Sequence, residues 1–304
     1  MGCVFCNETA FSKFDFPGNL FLGKEFKYVC CAACGLKYLH PMPTPEEIAA
    51  MYVPSYHANT IDVSITKKYY QKQCGTRFNY GIQFDLINKY VGNKATILDF
   101  GCGDGNFIAN AIQQGFMCNG AEYDYDYIKM IKEGLPKVNI YHIDEFYPDK
   151  KLVYDVIRLS NVIEHVVTPA ATINALLPHL KPNGILLIEA PLEDNMAVSN
   201  WYRDLYIKVK KRTNPGFIFY TPPYHIIMAN AKNQHVFFKQ FQIDEKEFIV
   251  DEFAWPLPES IKNAKGIKQK SLAIFFAVAI FISKLFFRGK SGNGFLYVGQ
   301  KPAN

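Results

Sequence analysis

One stretch, "ATILDFGCGDGNFIANAIQQG" at residues 95–115, constrains the fold more than any other. An apolar run breaks into three closely spaced glycines and resumes with a helical period. The same alternation recurs downstream. Strand-like "FMCNGAEY" precedes helix-like "YDYIKMIKEG", and "VNIYHID" leads into a polar loop. "YDVIRLS" precedes "TPAATINALLPHL", a turn "KPNG" and a final strand "ILLIEAP". Short apolar strands separated by helices require right-handed crossovers, which predicts a doubly wound, parallel α/β sheet. "NAKNQHVFFKQF" then reads as a helix, and "FIVDEF" and "GFLYVGQ" as strands.

The glycine turn raises the question of its ligand. A dinucleotide loop needs G-x-G-x-x-G, but here Gly101, Gly103 and Gly105 are followed by Asn106, and no lysine suits a phosphate loop. Asp99 and Asp104 flank the turn, where a pyrophosphate would be repelled by about 1 to 4 kcal/mol per close pair. A ligand with an ammonium and a sulfonium is attracted by the same carboxylates, and glycines let backbone approach it closely. Glu122 ends the next strand, where a carboxylate accepts ribose hydroxyls, and Asp144 ends the third, within reach of an adenine amino group. The loop is therefore expected to hold a cationic adenosine.

At these residues the sequence resembles the class I S-adenosylmethionine-dependent methyltransferases. "ILDFGCGDGNF" is similar to their first motif, "GAEYD" to their ribose acid, and "YDVIRLSNVIEHVVTPAATINALLPHLKPNGILLIEAP" to their fourth through fifth strands. The resemblance implies a seven-stranded, mostly parallel Rossmann-like sheet. It also implies S-adenosylmethionine held by Asp99, Gly101, Cys102, Gly103, Asp104, Gly105, Glu122, Asp144 and Asn161. Within "SNVIEHVVTPA", Glu164 and His165 stand where a base for the acceptor's proton belongs, and His225 in "PPYHIIM" matches a histidine of the resembling group. Some resembling enzymes bind a divalent metal through Glu-x-x-Glu-His, but the first acid is Asn161 here, which puts that metal in doubt. The plain alternative is that Glu164 and His165 support the next helix and that His225 is a buried structural histidine. "TPPY" at 221–224 follows the fifth strand, which argues against amino methylation by a Pro-Pro-Tyr motif.

The amino-terminal 42 residues have no sustained period but contain Cys3-x2-Cys6 and Cys31-x2-Cys34. Two such knuckles can each offer two thiolates to one tetrahedral zinc ion, and a closed four-thiolate set is structural rather than catalytic. The expected organisation is a zinc ribbon at 1–42, a helical segment at 43–94 and a methyltransferase domain at 95–304. Within the last, 192–225 reads as an irregular, lid-like insertion and 270–288 as an apolar helix. Thr44 is the predicted N-cap of a short helix, with Pro45 at its first position and Glu47 closing a capping box. The span 64–91 also reads as largely helical. Such a ribbon before such a domain resembles a bacterial group that modifies sugars and surface polysaccharides, which implies a small-molecule or lipid-linked sugar acceptor methylated on a hydroxyl.

With 33 basic against 28 acidic side chains, charge selects no nucleic-acid partner by itself. The basic, aromatic stretch 201–220 supports an RNA methyltransferase as the alternative, and a non-catalytic binding scaffold is a second. The opening residues lack a secretory pattern, which predicts a cytoplasmic protein. "LAIFFAVAIFI" at 272–282 is short for crossing a bilayer. With Lys262, Lys265, Lys268, Lys270, Arg288 and Lys290 around it, this helix suits either packing on the sheet or in a homodimer, or peripheral contact with the inner face of a membrane.

Overall fold

The computed structural model of the protein describes residues 2–17, 19–51, 80–147, 151–217, 225–252, 266–287 and 289–303. In chain order, β1 (Phe11–Lys13), β2 (Asn19–Phe21), β3 (Lys24–Cys31) and β4 (Lys37–His40) precede helices α1 (Pro45–Met51) and α2 (Gly81–Val91). Then β5 (Thr96–Phe100), α3 (Asn106–Gln113), β6 (Met117–Glu122), α4 (Tyr125–Gly134), β7 (Ile140–His142), α5 (Ile143–Phe146), β8 (Tyr154–Ser160), α6 (Pro169–Leu176) and β9 (Leu180–Pro191) alternate. They are followed by α7 (Val198–Thr213), β10 (Ile227–Met228), α8 (Ala231–Phe238), β11 (Asp244–Asp251), α9 (Gly266–Phe286) and β12 (Gly294–Gln300).

Two compact units emerge. One comprises Met1–Pro43, Ala190–Gln240 and Phe248–Leu296, the other Thr44–Glu189, Phe241–Glu247 and Tyr297–Asn304. Residues 190–240 and 248–296 thus group with the first 43. The physical links are β10, which pairs antiparallel with β4, and the Phe5 ring, stacked 4.2 Å from Phe237 of α8.

The predicted sheet has seven strands in the order β11-β12-β9-β8-β5-β6-β7, of which β5, β6, β7 and β8 lie wholly in the second unit. The pairs β5 with β6, β6 with β7, β5 with β8, and β8 with β9 are all parallel. Ile97 and Leu98 of β5, Val156 and Ile157 of β8, and Ile185 and Ile188 of β9 are fully buried. Successive buried residues point to opposite faces, as a sheet covered on both sides demands. The chain leaves β5 toward β6 and β7, then returns to the other side of β5 as β8. This reversal opens a crevice at the carboxyl ends of β5 and β8, where doubly wound folds bind ligands.

The first unit contains an antiparallel sheet ordered β1-β3-β4-β10, with β2 on β3. Its core includes Phe26, Tyr28, Leu36 and Leu39, and the Tyr28 hydroxyl donates to the His225 carbonyl at 2.5 Å.

Several local expectations change. The insertion 192–225 is not irregular, because α7 takes up 16 of its residues. Its first N–H and the Ser199 hydroxyl both donate to the Glu252 carboxylate, at 2.6 and 2.8 Å, a cap that local sequence does not contain. "KPNG" lies inside β9 as a register shift against β8, with Asn183 at φ 61, and is not a free turn. The third strand ends at His142, so Asp144 sits in the first turn of α5. The predicted capping box does form: Thr44 N–H donates to Glu47 at 2.8 Å, and Glu47 N–H to the Thr44 hydroxyl at 3.2 Å. The readings of 64–79, of "TPPY", and of Lys262, Lys265 and Arg288 fall outside the described residues.

Candidate functional site

The crevice is built by three neighbouring strand ends. After β5, Gly101 turns with φ 72, and a side chain there would meet Val162 of the segment after β8 at 2.5 Å. Only glycine permits both the left-handed turn and this contact. The Gly101 and Cys102 N–H groups donate to the Ala121 carbonyl of β6, at 2.8 and 3.2 Å, tying the loop to the next strand. Gly103, at φ 52, has no described residue within 4 Å of where a Cβ would stand, so among the described residues its backbone borders open space. Gly105, again left-handed, opens α3, while the Asp104 side chain accepts from Asn106 N–H at 3.1 Å. The Cys102 side chain is buried, and burial pushes its thiol well above its ordinary range.

Glu122 stands at the end of β6. Its Oε1 accepts from the N–H groups of Tyr123 and Asp124 at 2.7 and 3.1 Å, and its Oε2 from Gly103 N–H at 2.7 Å. Burial pushes this carboxyl up, and the three amides pull it back. A carboxylate has two acceptor positions on each oxygen, so among the described residues Oε2 keeps one for a ligand hydroxyl. Asp144 is largely exposed, 3.6 Å from the Nδ1 of buried His142, whose ring stacks on Tyr125 at 4.4 Å.

Asp99 is placed differently from expectation. It lies beneath the loop, 1% exposed, and its Oδ1 accepts from Arg158 Nη1 at 2.6 Å. Burial raises its pKa against the pull of that guanidinium. Arg158 Nε donates to the Gln83 side chain at 2.7 Å, Gln83 donates to Glu189, and the guanidinium lies 3.9 Å over Phe107. Asp99 therefore belongs to a buried network joining α2 to the sheet and offers no uncompensated charge to a ligand. Sequence reading also passed over Asn106. Both of its side-chain polar atoms are buried with no hydrogen-bond partner among the described residues. An unpaired buried amide costs about 1 to 3 kcal/mol, which a polar ligand beside the loop would relieve. Its only signal in sequence was its place directly after the third glycine.

Beyond β8, Asn161 adopts φ 53 and donates its N–H to the Glu189 carbonyl at 2.8 Å. The turn Ile163–His165 brings buried Glu164 within 3.7 Å of His165 Nε2. The third predicted catalytic residue, His225, belongs to the other unit. There its Nδ1 lies 2.8 Å from Glu193, whose carboxylate is also 3.7 Å from Arg203. Glu193 orients the imidazole and escaped sequence reading, since nothing in "LEDN" marks it.

In that same unit the four ribbon cysteines converge. Their sulfurs all lie within 4.8 Å of one another, with Cys3 to Cys34 at 3.6 Å and Cys6 to Cys31 at 3.5 Å. A tetrahedral ion bound at 2.3 Å requires sulfurs about 3.8 Å apart, so the set fits zinc with little adjustment. Hydrogen bonding from Cys34 holds Cys3 down at about 5, and burial pushes Cys6 up.

Residues 76–221 match the family described as a methyltransferase domain. The ubiquinone biosynthesis O-methyltransferase of Rickettsia prowazekii is 38% identical over 119 residues, covering 37% of this chain and 46% of the relative. The Xylella fastidiosa enzyme of the same name is 29% identical over 114 residues, covering 35% and 46%. The chain thus spans just under half the length of the curated relatives it matches. Among solved structures, an S-adenosylmethionine-dependent methyltransferase from Methanosarcina mazei aligns over 72% of this chain and 98% of its own, at 16% identity and a TM-score of 0.47. Residues 76–221 thus carry a methyltransferase-domain match on a Rossmann-like, mostly parallel seven-stranded sheet. Beside that match the chain carries a cluster of four cysteines.

Proposed function

We propose that the protein transfers a methyl group from S-adenosylmethionine to a hydroxyl of a sugar, glycolipid or other small-molecule acceptor. The observation that carries this reading is the Glu122 carboxylate, fixed by the Gly103 amide at 2.7 Å beside space that no described residue fills, with one acceptor position open among the described residues. Glu122 would accept from the ribose, Asp144 from the adenine amino group, and the Gly101 to Gly105 backbone, Asn106 and Asn161 would border the amino-acid part. Bound S-adenosylmethionine supplies a methyl group on a positively charged sulfonium. The protein's share is to align the acceptor and remove its proton. His165, backed by Glu164, and His225, backed by Glu193, are the candidate bases. The relatives' name, O-methyltransferase, supports a hydroxyl acceptor. The four thiolates would hold a structural zinc, which gives the ribbon a centre and takes no part in methyl transfer.

The test is turnover to S-adenosylhomocysteine with a panel of free sugars, nucleotide sugars and polyprenyl-linked sugars. Product with at least one hydroxyl acceptor is expected. Exclusive methylation of RNA or of amines would contradict the acceptor class.

A further inference from the structure

We propose that α7 and α9 together form a surface that rests on an anionic lipid bilayer. Helix α9 runs for 21 residues and contains no acidic side chain. It buries only a narrow stripe at Ala273 and Phe276, the latter against Tyr202 of α7 at 5.2 Å between ring centroids. Phe275, Val278, Phe281, Ile282, Leu285 and Phe286 are exposed, so of the open alternatives this face is not the one that packs on the sheet. Helix α7 continues the apolar surface with exposed Trp201, Leu205 and Val209, four residues apart on one helical face.

Charge selects the occupant. Lys268 and Lys270 open α9, and Lys208, Lys210 and Arg212 flank the exposed face of α7, all solvent-accessible. The one acid on α7, Asp204, is neutralised by Arg203 at 2.9 Å. An apolar strip with cationic borders and an exposed tryptophan matches a headgroup and acyl boundary. RNA would leave the apolar strip in water.

The attachments of α9 decide between lying on a bilayer and crossing it. Twenty-one residues make a helix about 31 Å long, enough to cross. Yet β11 precedes α9, β12 follows it, and the two strands are neighbours in one sheet. A single crossing would leave them on opposite sides of the bilayer. The carboxyl end of α9 is also tied down. Lys284 pairs with Asp251 at 2.6 Å, and the Ser283 and Ser291 hydroxyls bond at 2.6 Å. Gly292 N–H donates to the Met196 carbonyl at 3.0 Å. The helix therefore lies along one leaflet.

Flotation of the full chain with vesicles tests this without turnover, so its failure leaves methyl transfer untouched. The protein should float with phosphatidylcholine vesicles containing phosphatidylglycerol, and less with phosphatidylcholine alone. Phe281→Glu with Leu285→Glu should reduce the bound fraction at least 10-fold. Replacing Lys208, Lys210 and Arg212 by alanine should weaken anionic binding by at least about 10-fold, since each such side chain contributes roughly a factor of five. If the glutamate variant misfolds by circular dichroism, Trp201 emission in a Trp255→Phe background gives a second reading, with a blue shift on anionic vesicles expected. The proposal is overturned if the wild type ignores both vesicle types, if the variants float equally well, or if Trp201 emission does not move. Light scattering that shows a dimer split by Phe281→Glu, with no flotation, would assign the surface to a second copy instead.

Discussion

The ribbon and the glycine loop both gather residues far apart in sequence, but they are held in opposite ways. In the ribbon, β1 is exposed at all three of its residues, and the meeting point of the chain is four sulfurs. In the loop, β5 is buried at four of its five positions, and an ion-paired network lies beneath. Small elements without a deep core depend on a cross-link or a metal, whereas a loop rooted in a covered sheet is shaped before its ligand arrives. The first should lose its shape when its centre is removed. The second should lose affinity and keep its fold.

The largest expected effect sharpens the ribbon side. Purified protein should carry about one zinc per chain, and Cys3→Ser or strong chelation should expose 1–43 to proteolysis, because metal binding in such elements is folding free energy. Elemental analysis and limited proteolysis read both outcomes, and a metal-free protein with a protease-resistant ribbon would break the contrast. On the sheet side, Arg158→Ala leaves Asp99 as an uncompensated buried charge and should cost about 3 to 5 kcal/mol in denaturant unfolding. Substituting both residues with leucine should cost less than that single change. His165→Ala and His225→Ala should preserve cofactor affinity, with at least one lowering turnover by about 100-fold, the scale of a lost general base. Full activity in both would leave positioning as the whole of catalysis. Thr44→Ala should cost about 1 kcal/mol, through loss of the capping box at α1.

What the sequence disclosed follows the range of the forces involved. The alternation predicted α4, β8 and β12 with their observed bounds, because hydrophobic period and turn residues are local signals. The placement of Gly101, Gly103 and Glu122 at neighbouring strand ends was legible because their spacing is set by one strand, one turn and one crossover. The pairing of Asp99 was not legible because its partner, Arg158, is 59 residues away and its charge is compensated only once the strands pair. Helix α7 was missed for a similar reason, since its cap Glu252 lies 54 residues beyond its first turn. Glu193 beside His225 had no local pattern at all. The exposed face of α9 was hidden because an apolar sequence reads alike whether it packs on protein or on lipid.

The central claim is that the loop and Glu122 form a ready-made site for S-adenosylmethionine. Titration calorimetry of the wild type and Glu122→Ala with S-adenosylmethionine tests it most directly. The account predicts one site per chain in the wild type, with about 1 to 3 kcal/mol of binding free energy lost in the variant, as an unpaired ribose hydroxyl costs. No binding by the wild type, or equal affinity in Glu122→Ala, would contradict it.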